Sequence, residues 1–287
     1  MKIIPSVLNW SYHRQFWNKW AECLDDYIEK VSKIKNKYQI PEMGIDIGMA
    51  SGQDAFSRHD EEYILQVKEK LDMAGLHPIP IIGTLEIHAD PDMVDASIEE
   101  MAKVMREAKL LGADVVQYYH NLHGRLSREK AVRIYHEAAE RLEKIAEEND
   151  LVCASEEYCG LTGNELYLAV KDTPRVGLLN DVGNWMILGE DPVAATVKFM
   201  DITRHMHLKD YIFEDGIWKS VPFGQGIVNL KRVLDIVAEA PGNRVLYAAF
   251  ETDLDSGDED EAMDICFKYF LEWQNSKKYC HNLEIRV

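Results

Sequence analysis

Short apolar runs alternate with longer segments in which apolar residues recur every three or four positions, from one end of the chain to the other. A near-continuous apolar run suits a strand covered on both faces, whereas three-and-four spacing suits a helix that buries one side against a sheet. Eight strand candidates follow, at residues 3–8, 43–47, 77–82, 114–119, 151–157, 176–181, 205–209 and 245–251. Helical stripes lie between them: Trp20, Leu24, Tyr27, Ile28 and Val31; Val94, Ile98, Met101, Met105 and Ala108; Ala131, Ile134, Ala138, Leu142 and Ile145. Val233, Leu234 and Val237 form another, and Ala262, Ile265, Tyr269 and Trp273 the last. Asp90-Pro91 and Asp191-Pro192 mark two helix starts, each with a capping carboxylate and a proline where no N–H is required.

Eight βα units in 287 residues predict an α/β fold, a single (β/α)8 TIM barrel spanning residues 1–287 as one domain. A doubly wound sheet usually has fewer strands and often a phosphate-binding glycine fingerprint, and neither G-x-G-x-x-G nor a P-loop is present. No Pro/Gly/Ser-rich linker divides the chain, and the acidic run at 253–261 reads as a solvated loop before the last helix.

Composition narrows the partners. With 32 Lys+Arg against 50 Asp+Glu, the net charge of −18 repels a phosphate backbone, so nucleic acid is not expected. No apolar run approaches the roughly 18 residues of a membrane span, and the first ten residues lack a signal peptide's basic and apolar regions. A cytoplasmic protein acting on a small molecule is the expectation. The five cysteines, Cys23, Cys153, Cys159, Cys266 and Cys280, are odd in number and scattered, as free thiols in a reducing compartment would be.

In a parallel barrel, reactive groups gather where the strands end. The last four strand ends read Ser155-Glu156-Glu157, Leu179-Asn180-Asp181, His205-Met206-His207-Leu208-Lys209-Asp210 and Ala249-Phe250-Glu251. Side chains alternate along a strand and the face towards the helices should be apolar. Leu246, Ala248 and Phe250 then face outward and Glu251 inward; Met206 and Leu208 outward, His205, His207 and Lys209 inward; Val176 and Leu178 outward, Asp181 inward. On the fifth strand Val152 and Ala154 are the natural outward pair, which favours Glu157 over Glu156 as the inward carboxylate, with Glu156 the alternative if the phase slips by one residue. Singly, each acid could be a cap or surface charge and His207 a core histidine. Together, three carboxylates and an imidazole at one mouth call for a divalent cation. Mixed oxygen and imidazole donors suit Mn²⁺, Mg²⁺ or Co²⁺ with octahedral positions left for substrate, and Zn²⁺ is a further candidate.

These residues resemble the xylose-isomerase-like TIM barrel superfamily, the sugar phosphate isomerase/epimerase group, over nearly the whole chain. Glu157-Tyr158-Cys159-Gly160 is similar to its strand-five Glu and glycine-containing turn, Asp181-Val182-Gly183-Asn184 to its D-x-G-[NH] element, and His207-Leu208-Lys209-Asp210 to its H-x-K-D element. Gly224-Gln225-Gly226-Ile227-Val228 resembles its G-x-G turn, and Phe250-Glu251 closes the set. The resemblance implies one divalent metal held by Glu157, Asp181, His207 and Glu251, and a homo-oligomer. For a metal-chelated keto sugar or related polyol, isomerisation or epimerisation would proceed by proton transfer through an enediolate, with Glu157 and Glu251 as the acid/base pair and Asp181 and His207 as ligands only. Asn184 stands where some relatives have a histidine and so bears on a substrate hydrogen bond. His120 is a second candidate substrate contact, beside His123, whose H-x-x-H spacing also admits zinc. Lys209 is a third, for a phosphate or enolate, or a counter-charge to the acidic mouth. Trp10 and Trp185 could stack on a sugar or be buried core aromatics.

Three rival activities remain. The enediolate could eliminate, as in inosose-dehydratase-like or C-glycoside-cleaving lyases of the group, the latter with a small partner subunit. Apurinic endonucleases share the architecture but need additional histidines for three metals. A binding barrel without turnover is the third.

Overall fold

The computed structural model describes residues 1–17, 19–50, 54–157 and 160–284. Eight strands close into one parallel barrel: β1 (Lys2–Leu8), β2 (Met43–Gly48), β3 (Leu76–Ile87), β4 (Val115–Leu122), β5 (Val152–Glu156), β6 (Val176–Asp181), β7 (Thr203–Leu208) and β10 (Val245–Phe250), with β10 between β1 and β7. Between the last two staves, β8 (Asp210–Glu214) and β9 (Ile217–Val221) form an antiparallel hairpin. The helices are α1 (His13–Phe16), α2 (Leu24–Tyr38), α3 (Glu61–Ala74), α4 (Pro91–Leu111), α5 (Arg128–Glu148), α6 (Gly163–Val170), α7 (Val182–Ile187), α8 (Pro192–Phe199), α9 (Leu230–Glu239) and α10 (Glu259–Glu284). The (β/α)8 TIM barrel predicted from the alternation is therefore the fold.

Both Asp-Pro boundaries fall where expected. Asp90 Oδ1 accepts from Asp92 N–H at 3.1 Å, and Asp191 Oδ1 from Val193 N–H at 2.8 Å, each with proline opening the helix. The hairpin was not expected. Its turn, Asp215-Gly216, has φ of 54° and 79°, the left-handed pair of a two-residue hairpin connection, and this dipeptide was the signal available in the sequence. β3 runs five residues past its expected end, across a register shift between Ile81 and Thr84 where Gly83 takes φ 127°.

The main core lies between barrel and helices and holds the outward-facing residues of the staves, among them Val116, Tyr118, Cys153, Val176, Leu178, Met206, Leu208, Leu246, Ala248 and Phe250. Inside the barrel a small apolar cluster of Leu8, Ile81 and Ala249 packs against Trp10 and Tyr119. Also inside sit Asp46, Gln117, His205 and His207, each at most 1% exposed. Barrel interiors are ordinarily filled with branched aliphatic side chains, so this polar belt is a departure. Cys23, Cys153 and Cys266 are free thiols; Cys159 and the Cys280 side chain lie outside the described residues. Among the described residues no helix is long and apolar enough to cross a membrane.

Candidate metal centre at the barrel mouth

Asp181 is both the last residue of β6 and the cap of α7. Its Oδ1 accepts from the N–H groups of Gly183 (2.9 Å) and Asn184 (3.2 Å), which leaves Oδ2 turned towards Lys209 and His207. Gly183 is required by close approach: a Cβ there would stand 2.5 Å from Lys209 Cβ and 2.6 Å from Tyr211 Cε2. The D-x-G-N sequence thus seats a carboxylate and turns the chain in four residues. On β7, His207 pairs in register with Asp181, and Glu251 follows β10 with its N–H donated to Leu208 O at 3.0 Å.

Four side chains converge. One donor atom from each of Glu156, Asp181 and His207 lies within 4.8 Å of the others. His207 Nδ1 is 3.0 Å from Glu251 Oε2 and 3.8 Å from Asp181 Oδ2. Lys209 Nζ sits 2.9 Å from Asp181 Oδ2 and 2.7 Å from Glu251 Oε1, and Asn184 Nδ2 donates to Glu156 Oε1 at 2.6 Å. A cavity of about 350 Å³ opens above them, with Leu8, Trp10, Tyr119 and Ile187 as its apolar wall.

The electrostatics are unusual. Burial, then the charge of Asp181, pushes Glu156 up to about 8. Burial, then His205, holds His207 down to about 3, so its ring is neutral. For Lys209 burial opposes the charge, yet Asp181 and Glu251 outweigh it and raise its value. One ammonium is thus shared by Asp181 and Glu251, with the buried carboxyl of Glu156 beside them. His207 Nδ1 and Glu251 Oε2 are buried, face each other and have no hydrogen-bond partner; Asp181 Oδ2 also lacks one, the Lys209 contact being an ion pair out of hydrogen-bond alignment. With the Nδ1 lone pair turned towards Glu251 the two atoms would repel at about 3 Å unless a cation lay between them, and that spacing is the edge of an octahedron with metal–donor bonds of about 2.1 Å. The donor set fits a divalent metal.

The expected site residues are placed as follows. Asp181, His207, Glu251, Asn184 and Lys209 come together, on the strand faces anticipated for Asp181, His207, Lys209 and Glu251. Glu157 does not join them; Glu156 does. Cys153 packs in the outer core and Ser155 is bonded by His120 from outside the barrel, so odd-numbered positions of β5 face the helices and Glu156 faces inward. Glu157 is buried behind the cavity wall, with Oε2 accepting the Asp181 N–H at 3.3 Å, and burial, then Asp181 and Glu156, raise its pKa. His120 is likewise corrected. It follows Val116 and Tyr118 on the outward face of β4, 5.3 Å from the Tyr135 ring, with Nδ1 3.1 Å from Ser155 Oγ and Nε2 accepting from Leu161 N–H. Burial, then the Arg128 charge, lowers it to about 3. It is a core histidine with no access to the cavity. His123 pairs with Glu86, so the two histidines of the H-x-x-H spacing do not meet. Trp185 is fully buried, donating to Asn180 Oδ1 at 2.7 Å and stacking on Phe199, while Trp10 lines the cavity. Tyr158 and Cys159 lie outside the described residues.

Asp210 of the H-x-K-D element has a different task. Its Oδ2 accepts from Gly224 (2.8 Å) and Gly226 (3.0 Å) and its Oδ1 from Val228 (3.0 Å), so it organises the whole G-x-G turn. A Cβ on Gly226 would be 2.1 Å from Asp210 Oδ1. Asp46 and Gln117 were not singled out in the sequence, although Asp46 is the one charged residue of β2, between two isoleucines.

The fold and this mouth define a class before any relative is considered, a TIM barrel with acidic and imidazole donors at the ends of its staves. The chain belongs to the xylose isomerase-like TIM barrel family, whose profile matches residues 40–263. No curated protein sequence matches it. Among solved structures it is similar to a D-tagatose 3-epimerase-like protein (TM-score 0.70, 17% identity, 96% of this chain and 99% of that one). It is also similar to the IOLI protein, solved with a zinc atom bound (TM-score 0.71, 18% identity, 95% and 98%). A third is D-psicose 3-epimerase of Clostridium cellulolyticum H10, solved with D-tagatose (TM-score 0.67, 15% identity, 92% and 90%). At these identities the likeness is one of fold.

Proposed function

We propose that this chain is a divalent-cation-dependent isomerase or epimerase of an unphosphorylated keto sugar or related polyol, with Glu156 and Glu251 as its acid/base pair. The observation that carries the reading is the facing pair of partnerless donors, His207 Nδ1 and Glu251 Oε2, beside Glu156 and Asp181. A divalent cation held by Glu156, Asp181, His207 and Glu251 would supply Lewis-acid polarisation of a carbonyl and its adjacent hydroxyl and stabilise the enediolate. Two of those carboxylates lie on different staves, β5 and the end of β10, so one can take a proton from carbon and the other return it. Asn184 orients Glu156 through its Nδ2, and Lys209 orients Glu251 through its ion pair. The apolar wall of Leu8, Trp10, Tyr119 and Ile187 suits the C–H face of a sugar and keeps water from the reacting carbon. The similar folds of a D-tagatose 3-epimerase-like protein and D-psicose 3-epimerase and the zinc in the IOLI structure support the same reading.

Asp210 supports a substrate without phosphate. TIM barrels often bind phosphate on backbone N–H groups of the loops after the last strands. Here the N–H groups of Gly224, Gly226 and Val228 are already donated to an internal carboxylate, and the Lys209 ammonium is shared by Asp181 and Glu251.

The test is metal analysis followed by incubation of candidate ketoses, free and phosphorylated, in deuterated water. Close to one bound dication and solvent deuterium entering a free ketose of unchanged carbon skeleton are expected. Glu251→Gln should abolish the exchange; retained exchange removes Glu251 from the chemistry, and a product lighter by one water turns the assignment to a lyase.

A further inference from the structure

An imidazole binds a cation only through the nitrogen that carries no hydrogen, and the hydrogen bond at its other nitrogen decides which one that is. For His207 the decision is made inside the barrel. Asp46 Oδ2 lies 2.7 Å from Gln117 Nε2 and 2.8 Å from His205 Nε2. A carboxylate only accepts, so it receives an N–H from each. With its amide nitrogen committed to Asp46, Gln117 turns its Oε1 towards His207 Nε2, 2.9 Å away. That oxygen also only accepts, so His207 Nε2 carries the hydrogen and Nδ1 keeps its lone pair, on the side of Glu251 and Asp181.

We infer that Gln117 and Asp46 are positioning residues that hold His207 as its Nε2–H tautomer and so present Nδ1 to the cation. This rests on the proposed metal-dependent function. His205 anchors Asp46 from the other side. The whole relay is buried, and a reversed tautomer would set two acceptors face to face at 2.9 Å and leave an N–H pointing into the cation's place. Filling the barrel does not require these groups, since aliphatic side chains do that in other barrels. Each residue of the relay supplies a donor or acceptor choice that fixes the next.

Long-range ¹H–¹⁵N NMR of the metal-free wild-type protein, labelled in histidine and assigned with a His207→Asn variant, reads the tautomer directly. Hydrogen on Nε2 of His207 is expected, and hydrogen on Nδ1 overturns the inference with no further variant needed. Gln117→Met keeps the length and removes the acceptor; it should lose the Nε2–H preference and bind Mn²⁺ about 10- to 100-fold more weakly. Asp46→Asn can still accept from both neighbours and should keep the wild-type tautomer and stay within about threefold of wild-type affinity. If Gln117→Met merely unfolds at lower temperature, with tautomer and Mn²⁺ affinity unchanged, its role is structural and the inference fails. A wild-type protein that takes up no Mn²⁺ instead overturns the proposed function itself, a distinguishable result.

Discussion

Asp210 shows how one side chain ties distant parts of the chain. Its carboxylate satisfies three N–H groups of the turn that leads to α9, and those donors would be stranded in a partly buried loop without it. Charge-assisted bonds of this kind are worth more than neutral ones, so Asp210→Ala should lower unfolding stability by about 3 kcal/mol in urea titration. The motif letters were legible in the sequence, but their union was not, since nothing in H-x-K-D says that its aspartate serves a glycine turn fourteen residues away. Glu156 teaches a similar lesson. Small residues occupy both faces of β5, and the outward Ser155 is polar because His120 bonds it, so the rule that the outer face is apolar pointed to the wrong glutamate. On β6, β7 and β10 the outward residues are mostly large and apolar, and there the same rule placed Asp181, His207, Lys209 and Glu251 on the inner face.

Helix ends carry the next level of order. α6 begins with a capping box, Thr162 and Glu165, and Glu165 also takes the guanidinium of Arg128 from the first turn of α5, with Nε 2.6 Å from Oε1. The Arg128 hydrogen bond, against a smaller burial effect, lowers Glu165 to about 2. A lowered carboxylate stabilises the folded state fully above its ordinary value near 4.5 and loses that contribution as the pH falls through about 2. The difference in thermal midpoint between wild type and Glu165→Gln should therefore be constant above pH 5 and shrink towards zero between pH 4.5 and 2. Arg128 is exposed and Glu165 half-buried, so the effect should also weaken, though not vanish, in high salt. Element types were readable wherever period and caps agreed, as at α4 and α8. Elements that break the βα rhythm, the hairpin and the bulged second half of β3, were lost because each depends on a glycine in the left-handed region.

At the scale of the whole molecule, the ring of staves closes where β10 meets β1, and α10 covers the seam. Phe267 of α10 is fully buried, 4.5 Å from the Phe250 ring and stacked at 6.0 Å on Tyr38 of α2, so it joins the last helix to the first long one. Phe267→Ala should cost about 3–5 kcal/mol by calorimetry or denaturant titration, with the mouth residues untouched. The architecture was legible because eight repeats of one pattern leave few alternatives, and the mouth because strand ends are where polar groups are expected. The interior belt was not, since a buried Asp or Gln in a strand looks like a lapse in an apolar run until its partners on other staves are seen.

That belt limits how far the barrel can be treated as interchangeable parts. This architecture supports many chemistries by varying the loops that crown a packed cylinder, as though the cylinder itself were neutral. Here Asp46, Gln117 and His205 are rooted in three separate staves beneath the crown. Transplanting the rim of this protein onto a relative with an aliphatic bore would carry over the acids and leave behind the scaffold that aims the imidazole.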